Sequence, residues 1–137
     1  MTPQQQYNLE QARKAVLEDL DYMGDPTIFI PGEVPSNKSL GQPVHVEYIE
    51  ATEIYYANFR LKFLKLAKNK KKPLKVKFTF IRRDLKRFRY ITAAQIVQDL
   101  MFRHAWLEDD SADFLVPYFE EYQVDKYNPG VIIEVLN

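Results

Sequence analysis

Glu108, Asp109 and Asp110 stand in a row and form the densest group of potential oxygen ligands in the sequence. Clustered carboxylates on a loop are hard donors suited to Mg²⁺ or Mn²⁺, ions bound through a few carboxylates with water in the remaining positions. An ion so placed can hold a phosphate oxygen and lower the pKa of an attacking water. Two more acids are candidates to complete such a group: Asp84, in the run Arg82-Arg83-Asp84-Leu85, and Asp99, in an apolar-periodic segment. An isolated acidic turn is more often a solvated surface, so its surroundings decide.

Those surroundings are strongly polarised. The chain has 19 basic and 19 acidic residues and no net charge. Fourteen of the bases fall between Arg60 and Arg89, with Asp84 the only acid among them. From Glu108 to Asp125 there are seven acids and no base. A neutral average argues against nucleic-acid binding, but the distribution supplies a basic face that could neutralise a phosphate backbone. The candidate phosphate contacts are Lys75, Lys77, Arg82, Arg83, Lys86, Arg87 and Arg89.

The elements that must position these residues follow from periodicity. Residues 4–21 carry apolar positions at helical spacing and close at Gly24, Asp25 and Pro26, which makes residues 1–26 an N-terminal helical extension. Thr27 to Ile30 reads as a strand, and Pro31 to Pro43 as an extended loop rich in proline and glycine. Tyr48, Thr52, Tyr55, Phe59, Phe63 and Leu66 predict one helix of about five turns with an aromatic inner face. Leu74, Val76, Phe78 and Phe80 alternate with Lys75, Lys77 and Thr79, a strand with one apolar and one basic face. A helix is expected from Thr92, as N-cap, to His104, and Trp106 is a core anchor below the acidic loop. Strands over residues 114–124 and 131–136 finish the chain around a turn at Asn128-Pro129-Gly130. The order predicts a single mixed α/β (α+β) domain over residues 27–137, its sheet packed with helices.

What is missing narrows the chemistry. Without cysteine there is no disulfide framework and no thiolate site. His45 and His104 lack ligand spacing and read as surface or capping residues. There is no glycine-rich phosphate cradle and no Ser-His-Asp candidate. No membrane-length apolar run or signal-like start is seen, so a cytoplasmic protein is expected.

Thr27 to Ser39, reading TIFIPGEVPSNKS, and Asp99 to Ser111, reading DLMFRHAWLEDDS, together resemble the RusA-like Holliday junction resolvases. The strand LKVKFTFIRR and the closing strand after NPGV fall in the same order, so the resemblance runs from about Thr27 to Leu136. It implies an α/β homodimer, phage or prophage encoded, that cuts four-way DNA junctions with Mg²⁺ or Mn²⁺. The family's loop pair of aspartates matches Asp109 and Asp110 as metal ligands. The acidic and Asn positions at the start of its central helix are Arg89, Ile91 and Thr92 here, and its lysine position is Gln95. The glycine before its acidic loop is replaced at His104 or Ala105. An arginine in place of an aspartate changes the local charge by about two units and competes with a metal for nearby carboxylates.

Three functions are therefore carried forward. One is a metal-dependent junction endonuclease with Asp109 and Asp110, helped by Asp99 or Asp84. The second is a catalytically impaired protein of the same fold that holds branched DNA. The third is an oligomeric interaction protein whose basic block meets a partner's acidic block.

Overall fold

The computed structural model describes residues 2–7, 25–36, 43–108 and 114–136. Residues 3–7 are helical, and most of the expected N-terminal helix lies outside the described residues. The remainder is a mixed α+β fold in which one mixed sheet is packed with helices.

Strand β1 (Thr27–Pro31) is followed by helices α1 (Pro43–Asn58) and α2 (Arg60–Ala67), then β2 (Leu74–Arg82) and α3 (Tyr90–Arg103). Strands β3 (Leu115–Phe119), β4 (Gln123–Val124) and β5 (Gly130–Leu136) complete the chain. The sheet order is β1-β5-β2-β3, with β4 also on β2. β5 is antiparallel to β1 and β2, while β3 and β4 run parallel to β2. The parallel pairing follows from α3, which carries the chain back to the start of β2.

Register separates the two faces of the sheet. Ile28 opposes Ile133, Ile133 opposes Phe78, and Val131 opposes both Ile30 and Phe80. These side chains join Val97, Leu100 and Met101 of α3 and Tyr56 and Phe63 in the core. The opposite face carries Phe29, Ile132, Glu134, Lys75, Lys77, Thr79 and Tyr118, and Phe29 and Tyr118 are exposed on it.

The expected single helix from Tyr48 to Leu66 is two helices, and the first begins at Pro43. Proline suits a first helical position because its missing N–H has no helical partner there. The break is at Phe59 (φ −87°, ψ 0°), although Phe59 N still donates to Tyr55 O and Phe63 N to Phe59 O. The inner stripe therefore runs Tyr48, Thr52, Tyr56, with Tyr56 fully buried and Tyr55 38% exposed. The hydroxyls of Tyr48 and Tyr56 lie 3.0 Å apart, giving each buried group a partner.

The start of α3 also differs from expectation. Ala93 N donates to Arg89 O, so Arg89 is the N-cap residue and Thr92 sits within the first turn. The expected strand over residues 114–124 is divided. Between the pairs Phe78–Phe119 and Ile81–Gln123, β2 advances three residues and its neighbour four. The extra residue is a bulge-like departure, bridged where Tyr122 N donates to the Tyr90 hydroxyl.

At the far end of α3 the chain turns through Ala105, whose φ is 61°. Trp106 N donates to Met101 O and Ala105 N to Phe102 O, the paired bonds of a Schellman motif. Trp106 is buried as expected, and its indole N–H donates to Tyr56 O at 2.6 Å.

Candidate nucleic-acid interface

The basic residues divide into distinct environments. Lys75 is exposed on the open sheet face. Lys77 lies on the same face but is 3.4 Å from both Glu120 and Glu134. Glu134, with Glu120 beside it, holds the Lys77 ammonium above its ordinary pKa. That lysine is already balanced within its own chain.

Arg82 corrects the expectation of a phosphate contact. It is 4% exposed, with its guanidinium carbon 4.8 Å from the Phe88 ring centroid and 4.7 Å from that of Tyr122. Parity explains the burial: Arg82 continues Leu74, Val76, Phe78 and Phe80 on the core face. Two rings offset part of the cost of removing the cation from water, while Nε has no hydrogen-bond acceptor among the described residues.

Beyond Arg82, residues 83–89 connect β2 to the N-terminus of α3. Arg83, Lys86 and Arg87 are exposed and Arg89 is half-buried. Glu33 lies 4.0 Å from Arg83 Nε and accepts from its backbone N–H at 3.3 Å. The helix that follows has no side-chain cap bond at Arg89 and no acid in its first turn. Its N-terminal partial positive charge thus adds to that of the loop. Ile91 is 71% exposed beside it.

The acids are less well gathered. Asp109 and Asp110 lie outside the described residues. Asp84 accepts from the Lys86 backbone N–H at 3.0 Å within its own loop. Asp99 is on α3, beside a cavity of about 230 Å³ lined also by His45 and Arg103. Asp99 is nine residues beyond Tyr90 on this helix, a rise of about 14 Å. Among the described residues no group of three or more His, Asp or Glu is placed to hold a metal ion. Asp84 and Asp99 therefore do not complete a donor set within that part of the chain, and Gln95 is exposed on α3.

The flanks of the acidic segment are well placed. Glu108 pairs with Lys72 at 3.3 Å, and Leu74 N donates to Phe114 O at 2.8 Å. Both contacts are at the beginning of β2. Arg89, Ile91 and Thr92, where the resemblance leads one to expect acidic and Asn residues, are at the opposite end of α3, a helix of 14 residues and about 21 Å.

His45 is a second correction. It is 3% exposed, because the early start of α1 directs it towards Ile96 and Leu100 rather than solvent. His104 is the C-cap residue of α3, half-buried and stacked on Tyr56. A concavity sequence reasoning missed lies where α2, the turn before β2 and residues 105–108 meet. Its signal was the lysine-rich turn followed by an apolar strand start.

Among the described residues no helix is long and apolar enough to cross a membrane. The chain matches no family model, and comparisons with characterised proteins and with solved structures give no match either.

Proposed function

We propose that this protein binds branched DNA as a divergent, homodimeric relative of the RusA-like resolvases, using the connection between β2 and α3 as its phosphate-binding surface. One observation carries the reading. Arg83, Lys86, Arg87 and Arg89 lie on the short connection that leads into a helix N-terminus with no side-chain cap bond from Arg89, where Glu33 meets Arg83 and Asp84 is engaged by Lys86 N–H. Cationic side chains and helix N-terminal N–H groups are the usual phosphate partners in DNA complexes. Lys75 is exposed on the open sheet face at the other end of β2, about 23 Å from Arg82, and is a separate candidate contact.

Cleavage by the Asp109–Asp110 pair with Mg²⁺ or Mn²⁺ is the second reading, favoured by the acidic sequence at that loop. The positions that would supply the other ligands are Arg89, Ile91 and Thr92, so binding is preferred over cutting. An interaction protein pairing basic and acidic blocks between subunits is less favoured, since Lys72–Glu108 and Lys77–Glu120 pair within one chain.

Titration of a labelled four-way junction and a linear duplex at several salt concentrations tests the reading. Tighter junction binding that weakens steeply with salt is expected. No binding to either DNA at low salt overturns it. Metal-dependent nicking that disappears in Asp110→Asn would replace binding alone by the nuclease reading.

A further inference from the structure

We infer that the concavity at the beginning of β2 is a pocket for one unpaired nucleotide of a DNA strand. The inference rests on the DNA-binding reading and extends it to a substrate class, since a fully paired junction offers no free base.

The pocket is about 500 Å³, within the range of small-ligand sites. Its walls include Leu64, Leu74 and Phe114, and its basic side includes Arg60, Lys68 and Lys72. Glu108 is the one acid among the described lining residues. An apolar interior with several cations and one carboxylate suits an anion attached to a planar body with apolar faces. A nucleotide has that construction, with its base for the walls and its phosphate for the basic side.

Two of the cations are held in place. Arg60 Nε donates to Ala105 O at 3.1 Å, which fixes the guanidinium against the turn that follows α3. Lys72 Nζ lies 3.3 Å from Glu108 and 4.7 Å from the centroid of the Phe114 ring. Phosphate would therefore meet a guanidinium already positioned, with less side-chain freedom to lose on binding, while the Lys72 ammonium would exchange Glu108 for the phosphate. Lys68 is exposed just beyond the end of α2 and adds charge without a structural duty in the core. A duplex buries its bases in the stack, so only an unpaired nucleotide can present one to these walls.

The test uses the full chain and a fluorescent 12-residue oligothymidylate, with a fully paired four-way junction measured in parallel. Leu64→Trp fills the pocket, and Lys68→Ala removes exposed charge without disturbing packing. The wild type should bind the oligothymidylate, and each variant should weaken that binding about 10-fold or more while changing junction affinity less than twofold. Thymidine monophosphate should compete, and inorganic phosphate should compete at least 10-fold less well. Unchanged oligothymidylate binding in Lys68→Ala and in folded Leu64→Trp overturns the pocket but leaves the DNA-binding reading standing. Equal competition by phosphate overturns base recognition. Loss of junction binding in the wild type, with pocket-dependent oligothymidylate binding retained, overturns the junction reading alone. Binding of neither DNA overturns both.

Discussion

The guanidinium carbon of Arg82 lies 4.7 Å from the ring centroid of Tyr122, which places the last residue of the central strand under the bulge between β3 and β4. Phe88 approaches the same cation at 4.8 Å. The contact joins three stretches that also meet through Phe80, Phe88 and Phe119, and it makes Arg82 a packing residue. Arg82→Ala is expected to destabilise the protein by roughly 1–3 kcal/mol through lost packing and cation–π contact, with little effect on the salt dependence of DNA binding. Arg87→Ala should do the reverse, lowering the slope of log affinity against log salt by about one while leaving the melting temperature unchanged. Thermal melts and salt titrations of both variants check this, and an Arg82→Ala protein of wild-type stability would contradict it.

Ala105 adopts the left-handed conformation that glycine usually supplies after a helix. Its Cβ makes that conformation unfavourable by about 1 kcal/mol. Ala105→Gly should therefore raise stability by a similar amount, read as a higher denaturation midpoint in urea. The gain should be partly offset by the greater freedom of glycine in the unfolded chain. A clear loss of stability would mean that the Ala105 methyl makes a packing contribution larger than its backbone cost.

Gly130 is needed for space rather than for backbone angle. A Cβ at that position would collide with the Ile30 carbonyl oxygen and the Phe29 ring where β5 meets β1. Gly130→Ala should cost about 1–3 kcal/mol by forcing the two edge-side strands apart. Loss of amide protection in β1 before β2 during hydrogen exchange would locate the damage.

Alkaline pH should expose the buried tyrosine pair. Burial pushes Tyr48 up to about 12, and burial likewise raises Tyr56 well above its ordinary value. Above pH 10 the unfolded chain loses phenolic protons that the folded chain retains, so stability falls with rising pH from about 10 to 12. Below that window both forms are protonated and the dependence vanishes. Tyr48→Phe should flatten the fall, measured as denaturation midpoints between pH 9 and pH 12, at the cost of leaving the Tyr56 hydroxyl without its 3.0 Å partner.

Alternation made β2 legible, because a central strand with one core face must repeat every two residues. The same parity, extended past Phe80, already placed Arg82 inward, but its charge favoured a surface reading. Apolar periodicity also made α3 legible from Ala93 to Met101, while its true start depended on the extended backbone of Arg89. The break at Phe59 was hidden because helical spacing continues nearly unchanged across it. The division between β3 and β4 was hidden for a different reason: both halves pair with one continuous neighbour, and the extra residue between them leaves no compositional mark. The basic connection was legible as charge, whereas the pocket needed three separated segments to meet.

The straight run of β2 also sets a scale. From Leu74, which lines the pocket, to Arg82, next to the basic connection, eight residue steps extend about 26 Å. Along duplex DNA that distance corresponds to about eight base pairs at 3.4 Å each. On the proposed reading the central strand acts as a ruler: with paired DNA held at the basic connection, an unpaired nucleotide would reach the pocket only if it lay about eight base pairs away.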